Sequence, residues 1–88
     1  MAKGADYKDD DEAKLNQEYK RLGERIRAIR IALGYSSSER FANEKGLSRA
    51  QYAKYEKGKN LQYANLLKVT KALEISLKDF FAEGFDQQ

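Results

Sequence analysis

The 88-residue sequence predicts an all-α fold of five helices. Apolar residues in its first half recur at alternating intervals of four and three, which places them on one face of an α-helix. No stretch keeps the apolar–polar alternation of a half-buried strand. Serines and glycines recur along the rest of the chain at the positions where short helices begin and end.

The first helix is predicted to begin at Leu15 or Tyr19 and to end at Leu33. The apolar stripe that defines it consists of Leu15, Tyr19, Leu22, Ile26, Ile29 and Leu33. Gly34 then ends the helix, because glycine readily adopts the left-handed conformation that follows many helix C-termini. The opposite face is expected to be solvated and carries Lys20, Arg21, Arg25 and Arg27.

The chain is interpreted as a disordered acidic leader (residues 1–14), one folded domain (residues 15–84) and a short tail (residues 85–88). Residues 1–12 carry a net charge of −3, so the remaining residues carry +6. The run DYKDDDE within the leader resembles the FLAG epitope, and it is either derived from a tag or a chance acidic arm. The basic domain favours a polyanionic partner, and the alternative is a lysine-rich surface that serves solubility.

A second helix is predicted over residues 39–45 and a third over residues 49–57. Serines 36–38 offer N-caps for the second helix, and Ser48 is the N-cap candidate for the third. Gly46 lies between the two helices, where a tight turn requires a positive φ. The side chains expected to point inward are Phe41, Ala42, Leu47, Tyr52 and Tyr55.

A fourth helix is predicted over residues 63–73, and a fifth over residues 77–82 with Ser76 as its N-cap. The apolar side chains of the fourth helix are expected to pack inward, together with one threonine: Leu66, Leu67, Val69, Thr70 and Leu73. Gly84 ends the fifth helix, which carries two adjacent phenylalanines. No segment is long and apolar enough to predict a membrane span.

The second and third helices have the features of a helix-turn-helix unit. Two helices that cross at about 90–120° need a tight turn and a small side chain at their contact. Gly46 supplies the first requirement and Ala42 the second. The N-terminal end of the third helix is then free to enter a groove of DNA.

The spacing of several segments resembles the phage Cro/repressor-type (XRE-like) helix-turn-helix family across residues 22–81. The segments that carry the resemblance are LGERIR, RIALG, GLSR, YEKGK, LLKV and ALEISL. The resemblance implies a lambda-repressor-like domain with its helix-turn-helix in helices 2 and 3. It also implies a transcriptional regulator, most simply a repressor, that binds double-stranded DNA. A homodimer is expected because one recognition helix reads only a few base pairs. The expected compartment is the cytoplasm, since no signal peptide or membrane span is predicted, and no metal or cofactor is expected in a sequence without Cys or His.

The resemblance assigns base contacts to the start of the third helix, namely to Ser48, Arg49, Ala50, Gln51 and Lys54. Side-chain chemistry agrees, because arginine can bind guanine bidentately and glutamine can do the same to adenine. The alternative is that these side chains only solvate an exposed face. Phosphate contacts are assigned to Ser37, Ser38, Lys57, Lys59 and Asn60, which position a protein without reading sequence.

The resemblance further places an ion pair between Arg30 and Glu56, which would link the first helix to the third. A homodimer interface is expected at Phe80, Phe81 and Phe85, because clusters of exposed phenylalanine usually mark an interface. Leu15 and Tyr19 are a second choice for that interface. Tyr52 and Tyr55 could instead stack on single-stranded bases, but their spacing on the inward face favours the core.

Two other functions are alternatives to DNA binding. An antitoxin or accessory subunit that acts mainly through a protein partner remains open, because the same fold serves that purpose. An enzyme is disfavoured, because the sequence has no His, no Cys, no glycine-rich phosphate loop and no convincing carboxylate pair.

Overall fold

The computed structural model describes the backbone of residues 3–85 and the side chains of residues 11–85. These residues form five helices and no strands. The helices are α1 (Lys3–Ala32), α2 (Ser38–Glu44), α3 (Arg49–Glu56), α4 (Tyr63–Ala72) and α5 (Leu77–Phe80). The all-α prediction, with the helix-turn-helix in the second and third helices, is confirmed. Within the described residues, no helix combines the length and apolarity that crossing a membrane requires.

Serine caps determine where three of the four shorter helices begin. The Oγ atoms of Ser37, Ser48 and Ser76 accept hydrogen bonds from the backbone N–H groups three residues later, at 3.1, 3.3 and 3.1 Å. Each cap satisfies a donor that the first helical turn would otherwise leave unpaired. The observed bounds of α2–α5 therefore lie within two residues of the predicted ones.

The first helix begins much earlier than the sequence predicted. It starts at Lys3, so the residues from there to 14 are helical where disorder was expected, whereas Met1 and Ala2 lie outside the described residues. The segment lacks proline and, after Asp11, is rich in good helix formers, among them Ala13 and Lys14. A helix that is already nucleated by packing on the domain gains one hydrogen bond for each residue it adds, so it extends beyond the last packed turn.

The core lies where α1, α2, α3 and α4 meet, with α5 closing one end. Its fully buried large side chains are Ile26, Phe41, Tyr52, Val69, Leu73 and Phe80. The middle of the predicted α1 stripe faces this core, but Leu15 and Leu33 at its ends are 52% and 46% exposed. Leu67, which was expected to point inward, is also exposed. These three residues lie where no neighbouring helix covers the surface.

Arg25 does not point into solvent as expected. Its Nε donates to the Phe80 carbonyl oxygen at 2.7 Å, and its Nη2 donates to the Asp79 carbonyl oxygen at 2.9 Å. These carbonyls lie at the end of α5, where the last carbonyls of a helix lack intrahelical partners, although that of Asp79 also accepts from the Ala82 N–H at 3.2 Å. Arg25 therefore attaches the short C-terminal helix to α1.

Candidate nucleic-acid interface

The third helix is anchored to the domain through one face. Tyr52 and Tyr55 are buried, and the Tyr52 ring lies 5.1 Å from the Phe41 ring, between centroids. Both tyrosines therefore belong to the core, as the sequence predicted, and they are unavailable for stacking on bases. Their burial leaves the opposite face of α3 free to contact a ligand.

The side chains predicted to contact bases lie on that free part of α3. Ser48, Arg49, Ala50 and Lys54 are exposed, and Gln51 is half-buried at the edge of the packed face. We call residues 48–51 and 54 the α3 outer surface. Within the described part of the chain, no hydrogen bond or ion pair engages the Arg49 guanidinium or the Lys54 ammonium.

Gln51 is held in place by the loop that follows α3. The Asn60 side-chain amide donates to Gln51 Oε1 at 2.9 Å, and the Asn65 amide donates to the Asn60 carbonyl oxygen at 2.8 Å. Asn60 has a φ of 57°, a conformation that asparagine tolerates better than most residues. The side-chain oxygen of Gln51, Oε1, can accept a second hydrogen bond, and the side-chain NH₂ group of Gln51 remains available as a donor. The loop thus orients a side chain that could read a base.

The residues predicted to contact phosphate fall into two groups. Ser37 caps α2 and Ser38 is its first residue, whereas Lys57, Lys59 and Asn60 follow α3. Lys57, Lys59 and Asn60 are exposed, and no ion pair engages either lysine among the described residues. By contrast, the neighbouring Arg40 on α2 already pairs with Glu44 at 2.9 Å.

The Arg30–Glu56 pair that the sequence predicted is present and buried. Arg30 Nε donates to Glu56 Oε2 at 2.7 Å, and Arg30 Nη2 donates to Glu56 Oε1 at 3.1 Å. Arg30 Nη1 also donates to the Tyr35 carbonyl oxygen at 2.7 Å. The hydrogen bonds to Glu56 raise the pKa of Arg30 above its ordinary value. The pair joins the end of α1 to the last residue of α3 and so sets the orientation of α3.

A second contact between α1 and the end of α3 was not predicted. A Cβ atom on Gly23 would collide with the Glu56 carbonyl oxygen, and one on Gly58 would lie 2.6 Å from the Tyr19 carbonyl oxygen. Only glycine allows the two backbones to approach this closely. Gly23 stands inside a helical pattern, where glycine costs about 1 kcal/mol relative to alanine. That cost is the one sequence signal that could have indicated the contact.

The expected dimer interface needs a correction at Phe80. Phe80 is the last residue of α5, and its side chain is fully buried in the core. Phe81 is 44% exposed, and Phe85 is partly buried against the core with its ring 4.9 Å from that of Phe81, between centroids. Phe85, assigned to the tail, thus packs on the domain. Leu15 and Tyr19 are the second choice for the dimer interface. Leu15 is exposed, whereas Tyr19 packs against the core.

Comparison with known proteins places these features in a family. A family model described as helix-turn-helix, HTH_3, matches residues 26–80, which include α2–α5, the α3 outer surface and the Arg30–Glu56 pair. Searches of curated proteins and of solved structures found no significant match. The match covers more than half of the chain and agrees with the all-helical fold. The chain therefore belongs to the Cro/repressor-type (XRE-like) helix-turn-helix family of DNA-binding transcriptional regulators.

Proposed function

We propose that this protein is a sequence-specific repressor that binds operator DNA as a homodimer, with α3 in the major groove. The observation that carries the proposal is the division of α3 between two faces. Tyr52 and Tyr55 anchor the inner face, while Arg49 on the outer surface is exposed and unpaired within the described residues. An exposed arginine at the start of a rigidly held helix suits the reading of a base edge.

Base reading is assigned to the α3 outer surface. Arg49 binds guanine through its O6 and N7 atoms, and Gln51, oriented by Asn60, binds adenine through N6 and N7. Ala50 contacts a thymine methyl group, and Ser48 and Lys54 complete the contacts at either end of the surface.

Phosphate binding fixes the register of α3 in the groove. Ser37 and Ser38 contact the backbone from the start of α2, and Lys57, Lys59 and Asn60 contact it from the loop after α3. Repression requires only that the bound protein compete with other proteins for the same DNA. A homodimer would contact two half-sites about 34 Å apart, and exposed Phe81 with neighbouring Phe85 is the surface we assign to the dimer interface.

The experiment that tests this function is selection of bound duplexes from a random DNA pool, followed by sequencing. We expect a two-fold symmetric consensus whose half-site centres are about 10 base pairs apart. A folded protein that enriches no duplex would overturn the proposal in favour of the partner-binding alternative. An asymmetric single-site consensus would overturn the homodimer.

Variants then separate base reading from phosphate binding on the selected operator. Arg49→Ala should cost about 1–3 kcal/mol and relax the preference at one base position, whereas Lys59→Ala should weaken binding to all duplexes about equally. Lys78→Ala on α5 is the control. The opposite pattern for Arg49 and Lys59 would show that α3 is wrongly oriented in this proposal.

A further inference from the structure

A groove beside the C-terminal end of α3 joins Lys57 and Lys59, to which phosphate contacts are assigned above, to residues of α1 that have no assigned role so far. It lies between α1 and the loop that follows α3, and we call it the α1–α3 groove. The residues that line it are Asn16, Lys20, Glu24, Glu56, Lys57, Gly58 and Lys59. Three of them, Asn16, Lys20 and Glu24, belong to the part of α1 that precedes the matched family region.

Beside the groove, the backbones of α1 and the loop lie in close contact. A Cβ atom on Gly58 would lie 2.6 Å from the Tyr19 carbonyl oxygen and 2.9 Å from the Lys20 Cα atom. The Lys20 backbone is therefore in direct contact with the loop that carries Lys57 and Lys59. Since the contact involves no side chains, the position of Lys20 relative to these two lysines is set by the fold.

The charges around the groove favour an anion. Lys20, Lys57 and Lys59 are exposed, and no ion pair engages them within the described residues. One of the two lining carboxylates, that of Glu56, is neutralised by Arg30. The other, that of exposed Glu24, opposes an anion and lies one helical turn from Lys20 on the same face of α1.

The groove also lies where a DNA backbone would pass. The eight residues of α3 span about 12 Å, which is about the width of the major groove. If the N-terminal end of α3 contacts bases, its C-terminal end reaches the phosphates at the edge of that groove. Lys57 and Lys59 lie at this end of α3, and Lys20 lies next to them across Gly58.

We propose that the α1–α3 groove binds a phosphate of the DNA backbone, with Lys20 as its principal new ligand and Asn16 as an additional donor. This inference rests on the proposed function. It makes the N-terminal part of α1 a component of the DNA-binding surface. Glu24 then limits the affinity of the groove and keeps binding to unrelated sequences weak.

The test uses two variants one turn apart on α1, Lys20→Gln and Glu24→Gln, each of which changes the charge by one unit. Binding to the selected operator and to a scrambled duplex is measured by fluorescence anisotropy across a range of KCl concentrations. Lys20→Gln should weaken binding to both duplexes about three- to tenfold per subunit and reduce the salt slope by about 1 per subunit, hence by about 2 for the dimer. Glu24→Gln should strengthen binding to both. Circular dichroism melts check that each variant is folded.

Lys78→Gln and Arg49→Ala are the reference variants. If Lys20→Gln matches the wild type while Arg49→Ala still weakens operator binding, the inference is overturned and the proposed function stands. If Arg49→Ala also has no effect, the proposed function fails. An equal loss of affinity in Lys20→Gln and Lys78→Gln would show that the effect comes from net charge, and it would overturn the proposed phosphate site in the groove. A Lys20→Gln loss confined to the operator would overturn the phosphate assignment.

Discussion

Removal of Glu56 should destabilise the protein more than its position near the surface suggests. Glu56→Ala would leave Arg30, which is 4% exposed, with a charged guanidinium and only the Tyr35 carbonyl oxygen as an acceptor. An ionised group in such surroundings needs its partner, because water cannot replace the lost hydrogen bonds. The same change would also loosen the end of α3 from α1.

The size of the effect follows from the burial of the two side chains, which are 5% and 11% exposed. Breaking a buried pair by removing one partner costs about 3–5 kcal/mol. Since Glu56 lies at the edge of a groove, we expect the lower end, about 3 kcal/mol for Glu56→Ala. For a domain of this size that lowers Tm by about 12–24 °C.

Urea unfolding of Glu56→Ala checks this value, and a double-mutant cycle measured in the same way checks its cause. The cycle combines Glu56→Leu, Arg30→Met and the double variant, in which neither charge is stranded. We expect the double variant to recover at least half of the larger single loss, because apolar replacements of a buried pair are often well tolerated. The matched control is Arg40–Glu44, whose side chains are 74% and 46% exposed. Breaking that exposed pair should lower the free energy of unfolding far less than breaking Arg30–Glu56, because water and salt screen its charges.

Two results would refute this reasoning. A loss below about 1 kcal/mol in Glu56→Ala would mean that the pair is solvated. Additive single losses, with no coupling between Arg30 and Glu56, would mean that the two side chains do not interact.

Three further predictions concern other contacts of the same domain. Gly58→Ala should lower the free energy of unfolding in urea by more than about 3 kcal/mol, because a Cβ would clash with the Tyr19 carbonyl oxygen. The control is Gly46→Ala: Gly46 also has a positive φ, but a Cβ there would meet no atom within 4 Å, so the loss should be only about 1–2 kcal/mol. The buried Tyr52 hydroxyl lies beside the Arg30–Glu56 pair but outside hydrogen-bonding geometry with the described residues. Tyr52→Phe should therefore leave the unfolding midpoint nearly unchanged, and a loss of about 2 kcal/mol or more would show that Tyr52 bonds to the pair. The hydrogen bonds from Arg40 and Tyr35 lower the pKa of Glu44 below its ordinary 4.5. The Glu44 carboxylate therefore contributes stability above pH 4.5, and this contribution is lost as the pH falls further. Glu44→Gln should make the free energy of unfolding depend less on pH in this range, and an unchanged pH dependence would contradict the role of Glu44.

Much of the fold could be predicted from local patterns. Ser48 is an N-cap in the structure because its side chain can accept the N–H of Gln51 whatever the rest of the domain does. The apolar spacing identified Ile26 and the two tyrosines of α3 as core residues, because a helix presents one face to its neighbours. The residues of the candidate site followed from the family resemblance, and the structure places most of them on exposed surface.

Other features depended on which helices lie next to each other. Phe80 and Phe81 are adjacent and alike in sequence, yet only the packing of α5 decides that the first is buried and the second exposed. Periodicity likewise could not show that Leu15 lies beyond the reach of any other helix.

The sequence by itself determined α2–α5, their serine caps and the inward face of α3, because these depend on residues within a few positions of one another. Only the tertiary structure decided that Arg25 binds the end of α5, that Gly23 and Gly58 bring two backbones together, and that Lys20 lies beside the loop after α3. Such contacts join residues more than thirty positions apart, and no local pattern encodes the distance between them.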